Sequence, residues 1–171
     1  MLFKPINQKE SRAVLGLNVE KKVLFFPDDP NKIVKRFHLA EQAFKLFQKR
    51  YADSTLIVAG RVDFQTMPYY YNAADAIVFT SSSEGSPNAI KEAMACNIPI
   101  VTVDVGDVRE RLETVDGCYI VKDAPQNIAN ALIKVIDEQK KINTREKVMH
   151  LAGNKLTDEL ISIYKEVVED E

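Results

Sequence analysis

Two glutamates, Glu84 and Glu92, lie in the stretch TSSSEGSPNAIKEAMACNIPIV, residues 80–101, one on each side of an apparent helix start. Ser86 is a natural N-cap and Pro87 a natural first helical residue, because proline lacks an N–H that a helix start leaves unused. The free amides from Gly85 to Asn88, with the aligned peptide dipoles behind them, form a place for a phosphate or another anion, and Gly85 lets a ligand approach the backbone closely. Glu92 follows Pro87 by a little over one turn, roughly 7–8 Å along the axis. Two carboxylates so placed can hold well-separated parts of one elongated ligand. Carboxylates accept hydrogen bonds and repel anions, so their natural partners are hydroxyls. An anion flanked by hydroxyl-rich groups describes a nucleotide sugar. The plainer alternative is that Glu84 merely favours the helix dipole and that Lys91 and Glu92 form a solvated pair. Against it, the AMAC run after Glu92 reads as the buried side of the helix, and a carboxylate bordering a buried face needs partners.

A second cluster, Lys32, Lys35 and Arg36, falls in PDDPNKIVKRFHLAEQAF, where another helix begins. Cations at a helix N-terminus oppose its dipole, so local helix stability does not explain them. A bound phosphate does, and Lys32 and Lys35 could neutralise the charge that builds on a departing diphosphate. The competing reading is a solvated basic loop balanced by Asp28 and Asp29. His38 and His150 read as surface residues.

The elements that must position these groups follow from short apolar runs. KKVLFFP, STLIVAG, DAIVFTS, IPIVTVDV and GCYIVK are β-branched-rich and apolar on both faces, as strands buried in a parallel sheet are. Helical periodicity fills the gaps, over 37–51 and 128–136, and the alternation predicts an α/β fold: a Rossmann-like parallel sheet with right-handed crossovers and helices on both faces. Residues 1–22 read as a segment leading into a domain that spans 23–143, and 144–171 as its C-terminal helices, one over about 144–152 and an amphipathic one over about 155–168. In such sheets ligands sit beyond the carboxyl ends of the strands, which places both clusters on the functional edge.

Composition narrows the field. The 171 residues carry 46% hydrophobic and 28% charged side chains and a formal net charge of −2, so nothing in bulk draws the chain to nucleic acid or an anionic membrane. No apolar run is long enough to span a bilayer, the N-terminus lacks a signal-peptide core, and Cys96 and Cys118 read as buried free thiols; the expectation is a cytoplasmic location. No Cys/His cluster suggests a metal.

The stretch EGSPNAIKEAMACNIPIVTVDVGDVRE resembles the E-x7-E segment of the retaining GT-B glycosyltransferases of family 4. MPYYYNAADAIVFTSSSEG is similar to that family's approach to the motif, and PDDPNKIVKRFHLAEQAF to its phosphate loop, with Lys32 in the place of an arginine and Lys35 in that of a lysine. The resemblance covers residues 23 to about 122. It implies that Glu84 contacts the donor sugar and Glu92 the ribose, that Lys32 and Lys35 hold the diphosphate, and that Gly85, Ser86, Pro87 and Asn88 meet the distal phosphate or sugar through their backbone. The base would lie near Gly60 and Val62. Lys35 and Glu84 would be the catalytic pair. Retention of anomeric configuration is implied, with no cofactor and no divalent metal.

Lys32 lacks the planar fork with which an arginine grips phosphate twice. Asn97 stands where the family usually has glycine, and both tolerate a left-handed helix end. The chain's opening resembles the segment after the inter-domain linker, so the expectation is the donor-binding C-terminal half of a longer enzyme, its acceptor-binding N-terminal domain absent and its own transfer activity low. A nucleotide-sugar epimerase, a phosphorylase and a non-catalytic nucleotide-sugar-binding module share this fold. A signalling receiver domain would explain Asp28, Asp29 and Lys122, but it needs an aspartate where Thr80 and Ser81 stand.

Overall fold

The computed structural model describes residues 2–60, 62–151, 161, 162 and 164. Five strands form one sheet: β1 (Lys22–Phe26), β2 (Ser54–Val58), β3 (Ala76–Phe79), β4 (Ile100–Val103) and β5 (Tyr119–Val121), in the order β2-β1-β3-β4-β5. Each pair of neighbours is parallel, as the five apolar runs predict. The chain steps from β1 to β2 on one side and then crosses to β3 on the other. This reversal opens a crevice between the carboxyl ends of β1 and β3, the usual ligand position in a doubly wound sheet.

Six α-helices accompany the strands among the described residues: α1 (Gln8–Val14), α2 (Phe37–Phe47), α3 (Met67–Ala73), α4 (Asn88–Ala95), α5 (Val108–Leu112) and α6 (Pro125–Glu138). The alternating side chains of β1 show how both faces of the sheet are covered. Val23 and Phe25 pack with Tyr71 of α3, Ile90 and Met94 of α4 and Leu112 of α5. Leu24 and Phe26 pack with Ala40, Ala43 and Phe47 of α2 and with Ile128, Leu132 and Val135 of α6. A strand buried on both faces has no room for a polar alternation, hence the continuous apolar runs.

Nothing in the periodicity marks α1, α3 or α5, each seven residues or fewer. A side-chain cap fixes α1, and hydrogen bonds to other segments hold Asn72 of α3 and Arg12 of α1. Asn7 caps α1 by accepting from the amides of Lys9 and Glu10. The buried Arg12 then donates to the carbonyls of Ala73, Val19 and Lys21 and pairs with Asp75 at 2.9 Å, tying the N-terminal segment to the amino edge of the sheet.

The segment predicted as helical over 144–152 forms a tighter 3-10 run, Arg145–Leu151. It is fastened to the end of α4. Asn97 adopts the left-handed conformation, φ 56°, and its Oδ1 accepts from the amides of Thr144 at 2.9 Å and Arg145 at 2.8 Å. Thr144 donates its hydroxyl to the Met94 carbonyl, and Arg145 reaches the carbonyls of Ala95 and Phe3. The amphipathic helix predicted over about 155–168 lies almost wholly outside the described residues.

Candidate functional site

The loop after β1 turns back on itself through a 3-10 turn, Ile33–Lys35, and Arg36 completes it in the left-handed conformation at φ 49°. The end of β3 is stitched to this turn. Thr80 donates its hydroxyl to the Lys35 carbonyl at 2.8 Å, and the Ser82 amide donates to the Val34 carbonyl at 2.8 Å. Arg36 donates to the Thr80 and Ser81 carbonyls and pairs with Asp123. Arg36 therefore locks two loops together, and its charge is spent away from the crevice. The sequence groups it with Lys32 and Lys35 as a phosphate cation; the structure gives it a structural task.

Lys35 faces the other way. Its ammonium donates to Glu84 Oε1 at 2.7 Å and meets Asp28 Oδ1 at 2.7 Å, with about a sixth of each of these side chains exposed. Burial alone would pull the lysine pKa down, but the bonds to Asp28 and Glu84 outweigh it and lift it. Burial pushes the Asp28 carboxyl up, the bond to Lys35 offsetting this only in part, and Asp28 Oδ2 is buried without a partner among the described residues. The balancing of the basic loop by Asp28 is thus real, yet it is a largely buried ion pair rather than a solvated one. An ammonium has three donors, and the two carboxylates occupy two. One N–H remains for a ligand oxygen. Lys32 is exposed beside this group, and its charge acts on Asp28.

Glu84 opens the loop that leads to α4. The helix begins one residue later than its sequence suggests: Pro87 occupies the N-cap position with no side-chain cap, and Asn88 is the first helical residue. Ser86, predicted as the cap, donates its hydroxyl instead to Asp107 Oδ2 at 2.6 Å. Asp107 also accepts from Arg111 at 2.7 Å, and its amide donates to the Gly85 carbonyl at 3.1 Å. Burial would raise the Asp107 pKa, but Arg111 and Ser86 hold it below the usual carboxylate range. A side chain on Gly85 would meet nothing within 4 Å, so the backbone there is open to a ligand. Gly106 is the reverse case. With φ +56°, a Cβ on it would lie 2.3 Å from the Gly85 carbonyl oxygen and 2.8 Å from that of Glu84. The loop after β4 presses on the Glu84–Ser86 loop, and only glycine permits it. Gly106 and Asp107, which the spacing argument does not single out, shape the Glu84–Ser86 loop, and Asp28, read in the sequence as a loop charge, pairs with Lys35. A pair of aspartates between two prolines and a Gly-Asp pair after a strand are the signals that were there to be read.

Glu92 lies one turn into α4, half-buried and within electrostatic reach of Asp28. Its Oε2 accepts the hydroxyl of Tyr71 at 2.8 Å, so it is not the solvated partner of Lys91. Burial pushes the Glu92 pKa up, and the Tyr71 bond opposes the shift. Gly60 and Val62 lie beyond the end of β2. Gly60 is exposed next to Pro30 of the β1 loop, and Val62 packs against the core. The predicted residues from the loops after β1 and β3 therefore come together, while Gly60 and Val62 flank them from the β2 side. The end of β3 carries the buried Thr80 and Ser81 where a receiver domain needs its phosphate-accepting aspartate.

Comparison with known proteins decides the family. A profile of the glycosyl transferases group 1 matches residues 18–138. The chain belongs to this family. A Bacillus subtilis (strain 168) protein, TuaC, provisionally named as a teichuronic acid biosynthesis glycosyltransferase, is 30% identical over 129 residues, which are 75% of this chain and 29% of that protein. Among solved structures, the C-terminal domain of the group 1 glycosyl transferase LpcC from Francisella tularensis is similar with a TM-score of 0.70 at 20% identity, covering 84% of this chain and 90% of that one. Anabaena Alr3699/HepE, solved in complex with UDP-glucose, is similar with a TM-score of 0.68 at 20% identity, covering 99% of this chain and 54% of that one. The fold is that of one half of a GT-B glycosyltransferase. The chain spans about half of HepE and less than a third of TuaC. Among the described residues no helix is long and apolar enough to cross a membrane.

Proposed function

We propose that this chain is the donor-binding unit of a retaining glycosyltransferase, holding a nucleoside-diphosphate sugar between the carboxyl ends of β1 and β3 while a further N-terminal domain supplies the acceptor. The observation that carries this reading is the convergence of Lys35 and Glu84 at 2.7 Å from two different loops, beside the start of α4 and one turn from Glu92. Glu92 takes the ribose hydroxyls. The open backbone from Gly85 to Asn88, with Lys32 and the remaining donor of Lys35, takes the diphosphate, and Glu84 takes a sugar hydroxyl. As the diphosphate leaves, Lys35 is already charged and already placed, so its stabilisation requires little reorganisation. That charge is supplied by side chains and amides, and the proposal requires no metal.

The UDP-glucose complex of HepE supports a nucleotide-sugar ligand for this fold, and the name of TuaC fits a role in polysaccharide or glycoconjugate assembly. With half of a GT-B cleft on another domain, the acceptor is neither positioned nor shielded from water, and this chain alone transfers sugar poorly. The free thiols of Cys96 and Cys118, pushed up by burial to about 12 and about 11, suit the reducing cytoplasm. The roles are tested by comparing Glu92→Ala with Glu84→Ala. The first should weaken both the bare nucleotide and the intact donor; the second should spare the nucleotide and weaken the donor. Equal losses for both ligands in both variants would sink the assignment.

A further inference from the structure

Tyr71 is fully buried, yet it carries a hydroxyl, and a phenol in an apolar shell needs an acceptor. Its ring is fixed from two sides, edge-on to Phe25 at 5.1 Å and to Phe3 at 5.7 Å. Rotation of a tyrosine ring about its axis does not displace the oxygen, so this packing sets where the hydroxyl lies. It lies 2.8 Å from Glu92 Oε2, reached across from α3 to α4. A carboxylate offers about four lone-pair directions. The Tyr71 bond occupies one and leaves Oε1 directed by a fixed partner rather than by a free side-chain torsion.

We infer that Tyr71 positions the Glu92 carboxylate for a vicinal diol, making the tyrosine a determinant of ribose recognition although it never touches the ligand. This rests on the reading of Glu92 as the ribose-binding group. Removing the hydroxyl leaves the ring, the apolar packing and the carboxylate in place; what is lost is the orientation of Glu92 and a donor that stabilises its charged form. Tyr71→Phe therefore selectively weakens the ligands that have the diol.

The experiment titrates the wild-type chain and Tyr71→Phe with UDP, GDP and ADP and with the 2′,3′-dideoxy form of each. The wild type should prefer the ribose form of the nucleotide it binds. Tyr71→Phe should lose roughly tenfold in affinity for that form, in line with one hydrogen bond to a charged group, and nothing for the dideoxy form. The pH below which ribonucleotide affinity fades should also move upward in the variant, because Tyr71 opposes the effect of burial on Glu92. A purely structural role would weaken both forms alike and leave that pH unmoved, and would overturn the inference. A wild type that does not distinguish the two forms, or binds none of the three nucleotides, removes the ribose site itself and the inference with it. Should Tyr71→Phe fail to fold, carbon-13 labelling of the tyrosine rings of the wild type gives the same test: the Tyr71 resonance should respond to the ribose form and not to the dideoxy form, and an equal response to both would overturn the inference.

Discussion

Lys35 Nζ and Glu84 Oε1 lie 2.7 Å apart, although they belong to loops that leave two different strands on either side of the point where the sheet reverses direction. The contact joins the loops that follow β1 and β3 and brings a cation and a carboxylate to one place. It also couples binding to stability, because the single charge of Lys35 is shared between the Asp28 and Glu84 carboxylates.

Lys35→Ala should be destabilising as well as defective in binding. It strands the mostly buried Asp28 carboxylate, a loss on the order of 3 kcal/mol for a broken buried pair. Lys35→Met combined with Asp28→Asn should recover most of that stability and none of the nucleotide affinity. Chemical denaturation beside calorimetry separates the two effects; recovery of binding in the double variant would show that Lys35 does not contact the ligand.

Glu92→Gln should stabilise the ligand-free chain at neutral pH while weakening ribonucleotide binding. Burial raises the folded-state pKa of Glu92 above its ordinary 4.5, so its contribution to stability is fully present below that value and is lost as pH rises through the folded-state pKa. Glutamine does not titrate and can still accept the Tyr71 bond. The melting temperatures of the two proteins should converge near pH 4 and diverge above it, with the variant higher. A gap that narrows with rising pH would contradict the assigned shift.

Gly106→Ala should damage the site from outside it. The left-handed backbone and the 2.3 Å approach to the Gly85 carbonyl force the two loops apart, at about 1–3 kcal/mol for a strained position of this kind. Donor affinity should fall with stability, whereas Gly85→Ala, with open space around its Cβ, should leave stability nearly unchanged. Thermal melts of the two variants check the contrast.

Asn97→Gly keeps the left-handed conformation but deletes the acceptor for the Thr144 and Arg145 amides. A loss of about 1–3 kcal/mol follows from leaving such donors unmet. Hydrogen exchange at those two amides should accelerate in the variant; unchanged protection would show that the 3-10 run holds without Asn97.

Much of this was legible in the sequence for a physical reason. A strand buried on both faces must be apolar throughout, so the five runs announce the five strands and their parallel pairing. Glu84, Glu92 and Lys35 stand out by their spacing around helix starts, although each charge also had a plainer local reading in the sequence. What stayed hidden depends on distant partners. The start of α4 shifts because Ser86 finds Asp107, which follows a later strand, and α3 forms where its own sequence shows no stripe. Asp28 looked like surface charge until Lys35 folded over it. The tie between Asn97 and Arg145 spans 48 positions and leaves no trace in either segment alone.

The most direct measurement is calorimetric titration of this chain, without added divalent metal, with UDP, GDP and ADP and their common sugar conjugates. The account predicts that one nucleotide binds, that its sugar conjugate binds at least as well, and that both are lost in Lys35→Met with Asp28→Asn while the protein remains folded. Binding that survives in that variant, or the failure of every nucleotide and conjugate to bind at millimolar concentration, would contradict the claim that the crevice between β1 and β3 is by itself a nucleotide-sugar site.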